Sequence, residues 1–141
     1  MHKIWLTIYT STAQWKASLE RPPSTSLLSP LQAIFENYVV MEVIKHRYNR
    51  GLLDGVYFYR DSNQNEVDIL LKEEGEITAI EVKSSMTYHS SFEDSISKLA
   101  EWIKTPISNK LIVYTGDFEN TTANIKVLNY RHLQAYLPHL E

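Results

Sequence analysis

An α/β fold in the order helix, three strands, helix, strand is what these 141 residues predict, on three observations. Apolar side chains crowd residues 31–45 behind a Ser29-Pro30 start, the mark of a helix with Ser29 as N-cap and Pro30 at its first position. Residues 56–84 hold three strand-like runs separated by polar turns, which reads as an antiparallel meander. A second helical pattern, 91–104, precedes the apolar run Lys110-Leu111-Ile112-Val113-Tyr114-Thr115. A strand that follows a helix can join the sheet in parallel through a crossover.

The first helix carries apolar residues all round its central turns, which predicts burial against a sheet, and it ends near residues 49–51. Within it Glu36 has Val39, Val40 and Val43 as neighbours at i+3, i+4 and i+7. A carboxylate in such surroundings is costly without a partner. Either it reaches a rim or an arginine, or it serves a site. Glu42, beside Phe35 and Tyr38, poses a weaker version of the same question. Lys45, His46, Arg47 and Arg50 suit the negative end of the helix dipole and need no ligand.

Val56-Tyr57-Phe58-Tyr59-Arg60 reads as an aromatic strand, and Asp61-Ser62-Asn63-Gln64-Asn65 as a turn rich in side-chain acceptors. The hairpin that follows organises the chain. Residues 66–72 and 77–84 flank a loop over residues 73–76, so Lys72 faces Ile77. Counting back sets Asp68 opposite Glu81 and Glu66 opposite Lys83. Directly opposed side chains share a face, so Asp68, Glu81 and Lys83 crowd one face while Val67, Ile69, Leu71, Ile80 and Val82 fill the other. Facing carboxylates destabilise a sheet unless a cation lies between them. The register matters here, because a one-residue slip would move every side chain to the other face.

Residues 91–104 form an amphipathic helix with Ser90 or Ser91 as cap and a core stripe of Phe92, Ile96, Leu99 and Ile103. Lys98 and Lys104 lie off that stripe and face solvent or a phosphate. Residues 117–124 read as a polar loop, 125–128 as a short edge strand and 130–140 as a final helix. Residues 1–30 form a less readable segment ahead of one domain spanning 31–141. Within that segment, residues 4–9 have strand character, 12–19 fit a short helix, and 20–30 read as a Pro- and Ser-rich loop.

With 43% hydrophobic and 22% charged residues, the composition supports a packed core. A net charge of −3 gives no overall basic signature of nucleic-acid binding, though a local basic groove is compatible with it. The lack of cysteine rules out disulfides and thiolate metal sites and fits a reducing cytoplasm. The apolar run at residues 4–9 is too short to span a membrane.

Among constellations able to do chemistry, Glu36, Asp68, Glu81 and Lys83 stand out. Glu81 and Lys83, two apart on a strand, project to one face. Oxygen ligands from Asp68 and Glu81 suit a hard cation such as Mg²⁺, with Mn²⁺ as a substitute. Beside it, Lys83 could orient a water or stabilise charge developing on phosphorus. The other chemistries fit less well. His2, His46, His89, His132 and His139 are scattered, there is no phosphate-cradling G-x-x-x-x-G-K-[ST] run, and Ser84, Ser85, Ser90 and Ser91 read as capping residues.

Three motifs in order carry a resemblance: Phe35-Glu36-Asn37-Tyr38-Val39-Val40-Met41-Glu42, then Tyr57-Phe58-Tyr59-Arg60-Asp61-Ser62 with Glu66-Val67-Asp68, then Ile80-Glu81-Val82-Lys83-Ser84-Ser85. Over about residues 31–130 the chain resembles the uncharacterised C-terminal domain that follows an AAA-type ATPase module in many prokaryotic proteins. That domain is similar to the PD-(D/E)XK, or restriction-endonuclease-like, nuclease superfamily. The resemblance implies a restriction-endonuclease-like core with a central mixed sheet flanked by helices. It implies a metal-dependent site at Glu36, Asp68, Glu81 and Lys83, with Asp68 and Glu81 holding Mg²⁺. Arg60 and Glu66 occupy neighbouring motif positions, and Ser84 and Lys98 are supporting or nucleic-acid-facing candidates. DNA is the implied substrate and an upstream ATPase module the implied partner.

The chain also departs from that pattern. Leu6-Thr7-Ile8-Tyr9-Thr10 does not match the strand and aspartate-glycine-leucine segment expected before the helix, and Ala33 stands where glycine is common. The ATPase module is missing from these residues, which reads as a truncated form, a gene fragment or an altered reading of the upstream region. Two further readings compete with a nuclease: a nuclease-like fold used for regulation or interaction without catalysis, and acids that merely form salt bridges with Arg60 and Lys83.

Overall fold

The computed structural model describes residues 5–8, 30–52, 54–122 and 124–140. Its strands form one seven-stranded mixed sheet. In chain order they are β1 (Trp5–Ile8), β2 (Val56–Arg60), β3 (Glu66–Glu73), β4 (Glu76–Lys83), β5 (Ile107–Tyr114), β6 (Asn120–Thr121) and β7 (Lys126–Asn129). They lie side by side as β1-β2-β3-β4-β5-β7-β6. The strands from β1 to β4 pair antiparallel, β4 with β5 and β5 with β7 are parallel, and β6 closes the edge antiparallel to β7. The meander and the parallel crossover both form as the sequence predicts.

Helices flank both faces of the sheet. On one face α1 (Pro30–Asn49) and α3 (Leu133–Tyr136) cover Ile69, Ile80, Val82 and Val113, with Phe35, Val39 and Val43 as the helix's contribution. On the other, α2 (Asp94–Trp102) lays Ile96 and Leu99 over Leu70, Ala79 and Ile112. Val39, Val43, Ile96 and Leu99 are fully enclosed, and burying a side chain of this size contributes roughly 1.5–3 kcal/mol.

The hairpin register is the one counted from the turn: Lys72 pairs with Ile77, Leu71 with Thr78 and Ile69 with Ile80. Glu73 and Glu76, expected in the loop, pair as the last rung. The turn is therefore only Glu74-Gly75. Both residues have positive φ, 48° and 89°, as a tight two-residue hairpin turn of right-handed strands requires.

Val67 does not share the face of Ile69, Leu71, Ile80 and Val82 that the alternation predicts. Val67 packs with Leu70 and Ala79 under α2, not with Ile69 and Leu71 under α1. The cause lies in the β2–β3 register: Tyr57 pairs with Leu70 but Tyr59 with Val67, so Asp68 and Ile69 together oppose Phe58. This bulge breaks the alternation at Asp68, and bulges of this kind commonly re-aim side chains beside active sites.

Other differences are smaller. The segment at 125–128 is not at an edge, because β6 lies outside β7 within the stretch expected to be a loop. The predicted final helix is split into a 3₁₀ turn Tyr130–His132, α3, and a second 3₁₀ turn Leu137–Leu140 that contains Pro138. The second helix begins with the 3₁₀ turn Ser90–Glu93 and is regular α only from Asp94. Helix α1 packs on the sheet by one face only, while Leu31, Ile34, Tyr38, Met41 and Tyr48 are exposed. Ser29 and the segments expected at 12–19 and 20–29 lie outside the described residues.

Candidate functional site

The start of β3, the end of β4 and the early turns of α1 and α2 meet around a pocket of about 220 Å³. Glu36 reaches it from α1, Glu66 and Asp68 from β3, Glu81 and Lys83 from β4, and Lys98 from α2. These are six of the eight residues singled out from sequence. Of the other two, Arg60 does not line the pocket but pairs with Glu66, Nε to Oε1 at 3.0 Å. Ser84 contributes its backbone amide, which donates to Gln32 Oε1 at 2.7 Å.

The bulge decides how Asp68 serves the site. The regular β3–β4 ladder stops at Ile69 and Ile80. Beyond it the Asp68 carboxylate takes the place of a strand carbonyl, its Oδ2 accepting the Val82 N–H at 2.8 Å. Asp68 and Glu81 are not a paired rung, but both line the pocket. Glu81 is nearly enclosed, at 3% exposure. Its Oε1 accepts from Lys83 Nζ at 2.6 Å, while its Oε2 is buried without a hydrogen-bond partner. A buried acceptor left unmatched costs about 1–3 kcal/mol.

The electrostatics follow from three acids converging on one lysine. Burial, then the charges of Glu81 and Glu36, push the Asp68 carboxyl well above its usual range, against the opposing pull of Lys83 and the Val82 amide. Burial, with Glu36 adding to it, lifts Glu81 to about 7, although Lys83 and the Ser95 hydroxyl favour its charged form. Burial also opposes charge on Lys83, but Glu81, Asp68 and Glu36 outweigh it and hold the ammonium above the ordinary lysine value. The pocket is short of positive charge. Such paired shifts are typical of sites that bind cations or move protons.

The donor set suits a hard cation. Among the described residues no group of three or more His, Cys, Asp or Glu forms a metal cage. Mg²⁺ does not need one, since it is commonly held by one or two carboxylates and keeps water in its remaining positions. Asp68 and the unmatched Glu81 oxygen fit that role.

The sequence reading missed several pocket residues. Gln64 and Asn65 form the rim, Gln64 with a positive φ of 63°. Asp61 builds that rim by accepting from the amides of Asn63 and Asn65 at 2.8 and 2.9 Å and from Asn65 Nδ2 at 2.7 Å. Lys98 Nζ, expected to face solvent or a phosphate, donates to Asn65 Oδ1 at 3.2 Å across the mouth. Asp94 and Ser95 complete the α2 side. The acceptor-rich turn was visible in the sequence, but not that it borders this pocket. Glu42, the other acid in question, lies apart from the pocket, bonded to Lys45 at 2.7 Å and Gln134 at 2.6 Å.

Residues 31–133 match the family model described as Domain of unknown function (DUF4143). The chain belongs to that family. The match takes in every pocket residue just named, so the site lies within the DUF4143 domain itself. No curated protein matches the chain. Among the described residues, no helix is long and apolar enough to cross a membrane.

Proposed function

We propose that this DUF4143 domain is a metal-dependent nuclease that hydrolyses DNA phosphodiesters at the Glu36–Asp68–Glu81–Lys83 pocket. One observation carries the reading: three acids and a lysine from three separate elements line one pocket, where burial first, and then the neighbouring carboxylates, disfavour ionisation of Asp68 and Glu81 until a cation arrives. The order helix, antiparallel meander, helix, parallel strand supports a restriction-endonuclease-like core.

Asp68 and Glu81 would hold a Mg²⁺ ion, which when bound supplies Lewis-acid charge at the phosphoryl group. Glu36, across the pocket on α1, orients the attacking water. Water adds to phosphorus as the bond to the leaving sugar oxygen breaks, the proton the water gives up ends on that departing oxygen, and the Lys83 ammonium stabilises the charge gathering on the phosphoryl oxygens. Lys98 and Asn65 on the rim offer donors to a flanking phosphate. An ATPase module upstream would be the partner that delivers the strand.

The test is cleavage of plasmid and single-stranded DNA with Mg²⁺ or Mn²⁺ by the parent, Asp68→Asn and Lys83→Ala chains. Loss of cleavage in both variants is expected, and cleavage unchanged in both would sink the reading. The exposed apolar row on α1, with Leu31 and Ile34 each 65% exposed, favours a second reading in which the fold serves as a non-catalytic interaction module of an ATPase. Calorimetry separates the two, since that module would show no saturable Mg²⁺ or Mn²⁺ binding.

A further inference from the structure

Gln32 lies one helical turn before Glu36 on the buried face of α1. Its amide Nε2 donates to Glu36 Oε1 at 2.7 Å and to the Val82 carbonyl at 2.9 Å, and its Oε1 accepts the Ser84 N–H at 2.7 Å. Val82 and Ser84 are the two neighbours of Lys83. One carbonyl before and one N–H after a residue are the groups that an adjacent parallel strand would engage. The side chain of Gln32 therefore imitates a rung of sheet centred on Lys83.

That imitation is needed because β3 has turned away. Its ladder with β4 ends at Ile80, and the edge of β4 that β3 leaves unpaired is taken up first by Asp68, at the Val82 amide, and then by Gln32. On the other side β5 continues to Lys83, which pairs with Tyr114. Lys83 is thus gripped along both edges of its backbone, and Val82, packed under α1, turns the Lys83 side chain to the opposite face. The same amide holds the Glu36 carboxylate.

We propose that Gln32 is a positioning residue: by bracketing Lys83 through both peptide neighbours while holding Glu36, it sets the ammonium and the helix carboxylate in register across the pocket. Its catalytic meaning rests on the nuclease reading, but the positioning can be measured without metal or substrate. Gln32→Met keeps the length and apolar stem and removes all three bonds. Gln32→Asn keeps an amide but is one methylene too short to span from α1 to β4.

In the metal-free chain, the Lys83 ammonium bonded to Glu81 should give a slowly exchanging ¹⁵N side-chain signal. We expect that signal to vanish into solvent exchange in both variants while thermal melting shows that they stay folded. A signal that persists in a folded variant overturns the proposal and leaves Gln32 as packing. Should Gln32→Met not fold, the milder Gln32→Asn carries the same readout.

A second arm measures Mn²⁺ affinity by calorimetry. Partners that orient a metal site's residues typically affect affinity 10–100-fold, so Gln32→Met should bind Mn²⁺ at least about tenfold more weakly. Equal affinity in the variant and the parent counts against Gln32. A parent that binds no Mn²⁺ sinks the nuclease reading instead, and the Lys83 signal still decides the role of Gln32.

Discussion

At Glu81 the two carboxylate oxygens have opposite fates. One is held by Lys83 at 2.6 Å, and the other is buried and unmatched. Burial, together with Glu36, brings its pKa to about 7, so at pH 8 the metal-free fold carries the cost of keeping it ionised. Glu81→Gln removes that charge and retains nearly the same shape. We expect the variant to be more stable than the parent at pH 8 by roughly 1–3 kcal/mol, since one pKa unit corresponds to about 1.4 kcal/mol. It should also lose saturable Mn²⁺ binding. A melting temperature below the parent's at pH 8 would show that the Lys83 bond outweighs the burial cost. Lys83→Ala should act in the opposite direction, leaving Glu81 enclosed without its cation. Breaking one half of such a pair costs up to about 3–5 kcal/mol, limited here because Glu81 can take up a proton. The loss should therefore be smaller at pH 6 than at pH 8, read from urea midpoints.

Elements depend on backbone positions that single side chains must respect, and two glycines separate conformational cost from steric cost. Gly75 has φ +89° in the hairpin turn, with nothing within 4 Å of an added Cβ. Gly55 has φ +83°, but a Cβ there would lie 2.8 Å from the Lys72 carbonyl oxygen and 2.8 Å from a guanidinium nitrogen of Arg47. That guanidinium bonds the Asp54 carbonyl at 2.8 Å, and the Gly55 carbonyl accepts the Lys72 N–H at 2.9 Å, tying the end of α1 to β3. Gly75→Ala should cost about 1 kcal/mol, from left-handed strain alone. Gly55→Ala should cost more than twice that, because a backbone oxygen must also move. Equal midpoints in denaturant for the two variants would show that the α1–β3 junction yields. The hairpin was legible because its turn and alternation set the register, which is why Lys72 and Ile77 could be paired by counting. The bulge at Asp68 was not, since nothing in Val67-Asp68-Ile69 announces that the strand shifts against β2. The two residues of β6 were too few to leave a pattern. Gln32 was overlooked although its i, i+4 spacing to Glu36 was readable, because a glutamine on a helix gives no hint that it will complete a sheet edge 50 residues away.

The whole molecule combines two opposed groups of acids, and their balance sets how its stability responds to pH. Asp68 and Glu81 have pKa values raised by folding. Between the unfolded carboxylate range and about 7, the folded chain thus holds more protons than the unfolded one, and stability falls as pH rises through that window. Asp61 and Glu119 behave in the reverse sense. Burial alone would raise Asp61, but donors from Asn65, Asn63 and Tyr59 outweigh it. Glu119 is likewise lowered despite burial, by His132 and the Asn129 amide. Their contributions are present above the unfolded carboxylate values and disappear as pH falls through the lowered ones. The metal-free chain should therefore be most stable in mildly acidic solution, around pH 5. It should lose melting temperature towards pH 8 through the pocket, and towards pH 3 through Asp61 and Glu119. A divalent ion bound only by the folded, ionised pocket acts against the first loss, because a ligand selective for the native state adds stability by mass action. Scans from pH 4 to 8 in EDTA and in millimolar Mg²⁺ or Mn²⁺ test this directly. The two curves should coincide near pH 5, where protons compete with the ion, and separate progressively towards pH 8. A metal-free curve that rises steadily to pH 8 would show that the pocket acids are not held protonated by the fold. Curves that never separate would leave their charge conflict without the cation that the nuclease reading supplies.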